Sequence, residues 1–490
     1  MNLLKRINKL ALKLEKALLL ISELTASNTK LTASNAELSA SNTELSASNT
    51  ELSGVVAAQK LQIDSLQSLL DAKSIRKTSQ NSHQSPSTDL ARKNQSLREK
   101  STNPSGGQLG HKGHSLSMSK SPDVVIELHP SQCSECGSSL DGLVGQVFDR
   151  RQVIDIPPIT PVTTEYQSLM VKCSCGHCQA GSFPEGVNSN IQYGPNIQSL
   201  VVYQSAYQYL PLKRLQGFFK EVCSVSISQG TIENILRRTA KKAKSAYEAL
   251  REQVASSSFI GSDETGSKSN MKKLWFWVWQ NETLTFIVGT DSRAKKVIEE
   301  NFPNGLPDTI VCSDRLAAQL STHSKGKQIC IAHLFRDINY LEELEGAPWP
   351  TEFKTLLKDA IELKRQQSEY NQNDKEVLDI EERADILLKK VTNEIKKEEP
   401  KTKTFFKQIT ILRDTLFTFL YHAEVPPDNN GSERAIRLIK IKTKISGQFK
   451  SMYQEFAILR SVIDTAVKNN KEVFQEIRNI VDLPCPQRAG

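Results

Sequence analysis

Three carboxylates in this chain stand where they could do chemistry together. "FIGSDETGS", residues 259–267, sets an apolar pair and a glycine before Asp263, like a strand that ends in a carboxylate and breaks into a loop. "DTIVCSDRLAAQ" reads as another apolar strand ending in an acid, Asp314. "PPDNNGSERAIRLIKIK" offers the third: Pro426, Pro427 and Asp428 mark a helix start, and Glu433 falls about one turn inside it. Such an Asp, Asp, Glu set suits two Mg²⁺ (or Mn²⁺) ions about 4 Å apart, clamping the attacking and departing oxygens of a phosphodiester. Mg²⁺ takes hard oxygen ligands and typically uses few protein carboxylates plus substrate phosphate. Asn430 shares the helical face of Glu433, and Arg437 and Lys440 flank it. With Arg434, Lys442 and Lys444 they make that helix a basic surface for DNA. Glu264 alternates to the opposite side of the strand from Asp263 and is expected to stay out of the site. His333, at the end of the apolar stretch "KQICIAH", is an auxiliary candidate for moving a proton or touching the scissile phosphate.

A second set of residues points to a different metal. "CSEC" spaces Cys133 and Cys136 as a knuckle, and "CSCGHC" supplies Cys173, Cys175 and Cys178. Two such knuckles can grip a tetrahedral structural Zn²⁺ and hold together a module too small for its own core. Cys175 and Cys178 give the standard spacing, although any two of the last three would serve. Cys223, Cys312, Cys330 and Cys485 are scattered and read as ordinary thiols.

The elements that must carry the acids follow in a recognisable order. After the strand of Asp263, "KKLWFWVWQNETLTFIVGT" reads as two strands joined by a turn at Asn281 and Glu282. A helical "AKKVIEENFP", the strand ending at Asp314, a short helix and the strand "KQICIAH" come next. This is the order of the ribonuclease H-like fold, in which the ends of the first and fourth strands lie side by side. Residues 191–255 read as helical, and 211–221 with 228–238 resemble a helix-turn-helix whose second helix is capped by Ser228.

The first 70 residues repeat with a period of seven. Leu24, Leu31, Leu38, Leu45 and Leu52 occupy one heptad position, and Asn28, Asn35, Asn42 and Asn49 another. Ile7, Leu14, Ile21, Val56, Ile63 and Leu70 extend the second position outward. Leucine at d with buried Asn at a predicts a parallel two-stranded coiled coil, and hence a homodimer. Residues 74–120 are polar, nearly free of apolar side chains and basic, as expected of a disordered connector able to neutralise phosphates.

The chain has 490 residues and a formal charge of +8, so several domains are expected. No apolar run reaches the ~18 residues of a membrane span. Nine cysteines without an export signal suggest a reducing compartment, so the expected location is cytoplasmic, on the bacterial nucleoid when bound to DNA. The expected fold class is multidomain α+β. It comprises a coiled coil (1–72), a basic disordered linker (73–120), a zinc-binding module (121–190) and a helical, DNA-binding region (191–255). A ribonuclease H-like catalytic domain (256–470) with a helical insertion at about 340–420, and a C-terminal tail (471–490), complete it.

The chain resembles the insertion sequence 66 type of DDE transposase over nearly its whole length. The resemblance lies in "SQNSHQSPSTD", "GGQLGHKGH", the cysteine module, "DETG", "SDRLAAQ", "IAHLFRD" and "NNGSERAIR". It implies that Asp263, Asp314 and Glu433 form the DDE triad. It also implies an enzyme that recognises terminal inverted repeats, cleaves at element ends and joins a 3′ hydroxyl to target DNA. Accessory transposition proteins are further candidate partners. Two departures bear on DNA contacts: Arg315-Leu316 follows the second Asp where the family has an aromatic and a small residue, and "KTKISGQF" replaces its Arg-Lys-Asn. Two other functions compete, a DNA-binding regulator and a non-transposing nuclease of the same fold. Metal-dependent nicking of terminal repeats separates the first, and joining to target DNA the second.

Overall fold

A computed structural model describes residues 2–73, 110, 112–113, 116–346, 348–371, 373–390 and 400–484. Most of the expected basic linker therefore lies outside the described residues, as does Cys485. The chain divides into two units, the first made by one unbroken helix, α1 (Asn2–Lys73). Serine, threonine and asparagine are mediocre helix formers, but here hydroxyls turn inward to the helix itself. Thr25 Oγ1 donates to Ile21 O, Thr32 Oγ1 to Asn28 O and Thr50 Oγ1 to Ser46 O. The heptad leucines form an exposed apolar stripe along it, each 57–60% accessible from Leu24 to Leu52.

The second unit opens with the cysteine region, which carries β1 (Met170–Lys172) and β2 (Cys178–Ala180), an antiparallel pair. Four helices follow: α2 (Pro195–Val202), α3 (Leu212–Val222), α4 (Gln229–Lys242) and α5 (Lys244–Ala255). Ser228 caps α4 as expected, its Oγ accepting from the Thr231 N–H at 3.0 Å.

A mixed five-stranded sheet is the centre of this unit. β3 (Phe259–Ser269), β4 (Lys272–Gln280) and β5 (Thr285–Thr290) form an antiparallel meander. After α6 (Lys296–Asn301), β6 (Leu306–Ser313) lies parallel to β3; after α7 (Ala317–Leu320), β7 (Ser324–Ile329) lies parallel to β6. The spatial order is β5-β4-β3-β6-β7. "LWFWVW" is apolar on both faces because β4 is buried on both. Trp277 and Trp279 pack with α5 and α6, while Leu274, Phe276 and Val278 pack with two later helices, α12 (Asn430–Ser446) and α13 (Tyr453–Lys468).

Between β7 and α12 comes a helical layer of α8 (Ile331–Glu345), α9 (Pro348–Gln366), α10 (Lys375–Lys390) and α11 (Pro400–Ile411). Its core meets the sheet at Phe259, Ile310, Cys312 and Ile329. An edge strand normally needs cover. β5 has it, because α13 lends two hydroxyls: Ser461 Oγ accepts from the Ile287 N–H at 2.9 Å and Thr465 Oγ1 from the Thr285 N–H at 3.1 Å.

Three expectations need correction. β3 does not end at the acid but runs on to Ser269, because β4 continues to pair with it through a tight turn at Asn270 and Met271, both at positive φ. The apolar "ICIAH" is not one strand: β7 ends at Ile329 and His333 lies in the first turn of α8. The stretch read as a C-terminal tail carries α14 (Val473–Asp482), whose Ile477, Ile480 and Val481 are buried in the core shared by α2–α4 and α13.

Candidate active site

The site is built where β3 loses one neighbour. Its parallel pairing with β6 covers only Phe259–Gly261, and near Ser269 the segment around Phe449 takes over, Phe449 N donating to Lys268 O at 2.9 Å. Between these pairings the edge of β3 is open, and α12 lies across it. Asn429, just before the helix, donates its side-chain amide to Ser262 O at 2.7 Å and accepts from Ser432 Oγ at 2.7 Å. Further along, Lys440 Nζ reaches Gly266 O at 2.9 Å.

Two glycines permit this approach. A Cβ on Gly261 would fall on Asn429 Oδ1, 2.7 Å from Ser432 Oγ and 2.8 Å from Gln280 Nε2. One on Gly431 would lie 2.9 Å from Gln280 Cδ. The glycine ahead of Asp263 and the one ahead of Glu433 thus belong to a single contact, which brings the two acids' elements together.

Asp263 and Asp314 meet as the strand order requires. Oxygens of Asp263, Glu264 and Asp314 all lie within 4.8 Å of one another, the only such group of three or more metal-ligating side chains among the described residues. Glu264 is therefore in the cluster, contrary to the expectation from strand alternation. Pairing with β6 ends at Gly261, so that side of β3 is open here and both carboxylates reach Asp314 around it, although β4 still pairs with β3 at Asp263 and Glu264. Glu264 Oε1 accepts from Arg293 Nη2 at 2.6 Å, and Oε2 from Gln319 Nε2 at 3.0 Å.

Burial pushes the Asp263 carboxyl well above the usual carboxylate range, and Glu264, Asp314 and Glu433 push it the same way, against a hydrogen bond from the Glu264 N–H. Burial also raises Glu264, with Arg293 opposing. Three acids drawn together in a buried edge repel one another unless a cation joins them. Hard oxygen donors at this spacing fit Mg²⁺ or Mn²⁺.

Glu433 sits in the first turn of α12 but outside that group. Its carboxylate accepts from Arg336 Nη2 at 3.0 Å, and His333 Nε2 stands 3.8 Å away. Arg336 is the residue that sequence reasoning missed; its only signal is helical spacing from His333 in "IAHLFRD". Arg315 binds Asp337 on the same turn of α8 and donates to Gln408 Oε1 at 2.8 Å, so the unusual residue after Asp314 anchors that loop to the helical layer. Asn430 donates its backbone N–H to Asp428 Oδ1 at 2.9 Å.

Of the basic residues expected to face DNA, Arg434, Arg437, Lys440 and Lys444 are exposed along α12. Lys442 turns the other way, toward Ser205 O, and burial lowers its pKa to about 8. In α4, Arg237 is held by Glu233 at 2.7 Å and Glu455 at 2.8 Å.

The cysteines form two turns of the same plan. Cys133 N donates to Ser138 O and Gly137 N to Cys133 O, both at 2.9 Å, with Gly137 at φ +70°. Cys173 N donates to His177 O at 2.7 Å and Gly176 N to Cys173 O at 2.9 Å, with Gly176 at φ +91°. Each turn opens on a cysteine and places another just before the glycine, Cys136 and Cys175. Cys178 instead pairs with Lys172 in β2. All five thiols are free, and four of them are exposed. A hydrogen bond with the Ser138 side chain is the main cause that brings Cys136 down to about 7, toward the thiolate a metal requires.

Among the described residues no helix is long and apolar enough to cross a membrane. No curated protein matches the chain. A protein-family model described as "Transposase IS66 family" matches residues 190–454, more than half of the chain, from just before α2 to the start of α13. That stretch contains the sheet, the acidic cluster, the helical layer and the helix of Glu433. Acids gathered on a mixed sheet and a match spanning all of their elements lead to one conclusion: this chain belongs to the insertion sequence 66 family of transposases.

Proposed function

We propose that the protein is a DDE transposase that cleaves DNA at the ends of an insertion sequence and transfers the 3′ hydroxyl to target DNA. The carrying observation is the meeting of Asp263 and Asp314 at the open edge of β3, with Glu433 brought up by α12. The sheet order β5-β4-β3-β6-β7 supports a ribonuclease H-like catalytic domain interrupted by the helical layer α8–α11. Asp263, Asp314 and Glu433 would hold Mg²⁺ or Mn²⁺, which when bound polarises the phosphodiester and stabilises charge on its oxygens. Arg336 orients Glu433, and the exposed Arg434, Arg437, Lys440 and Lys444 neutralise DNA phosphates beside the acids. In nicking assays on terminal-repeat DNA, Asp263→Asn, Asp314→Asn and Glu433→Gln each abolish cleavage while DNA binding persists. Full activity in any one of them removes that residue from the triad.

Two further parts support end recognition and pairing. Cys133 and Cys136, with Cys175 and either Cys178 or Cys173, would hold a structural Zn²⁺; the matching turns favour Cys173. The exposed leucine stripe of α1 fits a parallel coiled-coil dimer that yokes two catalytic units. Light scattering tests this directly: the full chain is dimeric, and a chain starting near Ser121 is monomeric without DNA. A truncated chain that stays dimeric would show that the heptads are not what joins the copies.

A further inference from the structure

The acidic cluster contains one carboxylate for which the proposed triad has no use. The Glu264 side chain is only 2% exposed, yet an oxygen of it lies within 4.8 Å of oxygens of both Asp263 and Asp314. Its ion pair explains half of this placement. Arg293 Nε and Nη2 both donate to Oε1, at 2.9 and 2.6 Å, but Arg293 is itself half in solvent. Oε2 faces Gln319.

One buried oxygen beside Glu264 has no protein donor. Gln319 is 2% exposed; its Nε2 serves Glu264, and its Oε1 has no partner. Turning the amide over would set oxygen against carboxylate, so the orientation is fixed by chemistry. A buried oxygen without a donor is costly, and native proteins rarely keep one beside three mutually repelling acids. A hydrated divalent cation meets these demands: carboxylates ligate it directly, and one of its waters donates to the amide oxygen.

We propose that Glu264 is a ligand of a divalent cation that it shares with Asp263 and Asp314, and that Gln319 is a positioning residue, holding Glu264 Oε2 while its own Oε1 accepts from the cation's water. This rests on the reading of the cluster as a metal centre and adds an acid outside the triad to it.

The test is Mn²⁺ binding to the full chain without DNA, followed by calorimetry and by the electron paramagnetic resonance of bound Mn²⁺. Glu264→Gln weakens Mn²⁺ about 10-fold or more and Gln319→Met by less, as loss of a supporting partner does. Arg293→Gln removes the same ion pair but frees Oε1, so it leaves the affinity unchanged or tightens it. Glu264→Asp, which keeps the charge on a shorter arm, gives a second reading if the amide variant does not fold; it also weakens binding. If Glu264 merely anchors Arg293, Glu264→Gln and Arg293→Gln lower the melting temperature alike and leave Mn²⁺ affinity intact, which overturns the proposal. Asp263→Asn separates the two levels of inference. If it loses Mn²⁺ while Glu264→Gln does not, only the role of Glu264 falls; if neither loses Mn²⁺, the metal centre falls with it.

Discussion

Around Asp263 every approach is dictated by packing, whereas Cys133 and Cys173 sit in short turns facing solvent. The acids are held by Gly261, Asn429, Gly431 and Gln280, which leave no room for one further carbon. The thiols are held by a few backbone hydrogen bonds and a positive-φ glycine in each turn. Both places gather groups that gain from a cation, but they stand at opposite ends of preorganisation. In the first, burial of apolar surface on both sheet faces offsets electrostatic repulsion before any ligand arrives. In the second, the proposed zinc would join the two turns, and metal binding and folding would become one event.

The contrast is broken most forcefully at Gly261. Gly261→Ala should cost about 3 kcal/mol, the upper range for overpacking, and should abolish DNA cleavage by pushing α12 away from β3. Gly266→Ala in the same strand meets only Trp275 at 3.6 Å and should cost far less. Urea melts of the two variants check this; equal losses would mean that strand propensity, not the α12 contact, sets the cost.

A smaller effect sharpens the other side. Cys133→Ser and Cys173→Ser should each release about one Zn²⁺ per chain and weaken binding to element ends, while the urea stability of the sheet and the helices packed on it stays unchanged. Cys178→Ser should keep the metal if the matching turns identify the ligands. Metal analysis of the purified variants decides, and zinc lost with Cys178 but kept with Cys173 would reverse the assignment.

The smallest effect has an unusual sign. Asp263→Asn removes one charge from a buried like-charged cluster, so without divalent metal it should stabilise the fold by about 1 kcal/mol. Added Mg²⁺ should erase the difference, because it stabilises only the parent chain by mass action. Calorimetric melting with and without Mg²⁺ tests this, and an equally large gain in both would point to a cause other than charge.

Much of this architecture was legible in the residues. The period of seven gave α1, alternating apolar runs gave the meander, and the acids at the ends of two apolar runs gave the meeting of Asp263 and Asp314. Ser228 announced its helix because a hydroxyl is what an open first turn requires. What escaped depended on neighbours that no local pattern encodes. Alternation turns Glu264 away from Asp263, but β6 leaves β3 after Gly261, and around that open edge both carboxylates come close to Asp314. "ICIAH" is apolar enough for either strand or helix, and so short a run carries no period to choose between them. Arg336 is marked in the sequence only by its helical spacing from His333, and its role depends on α12, which places Glu433 against it.

The hydroxyls folded back along α1 have a consequence for how such a chain changes over generations. Because they are satisfied by their own helix rather than by a particular neighbour, one seven-residue unit is interchangeable with the next. A unit gained or lost shifts no leucine off its stripe, and it alters the helix by about 10 Å, close to the rise of three base pairs. Gain or loss of whole units would therefore change the length of this helix in even steps, leaving the residues of the sheet untouched.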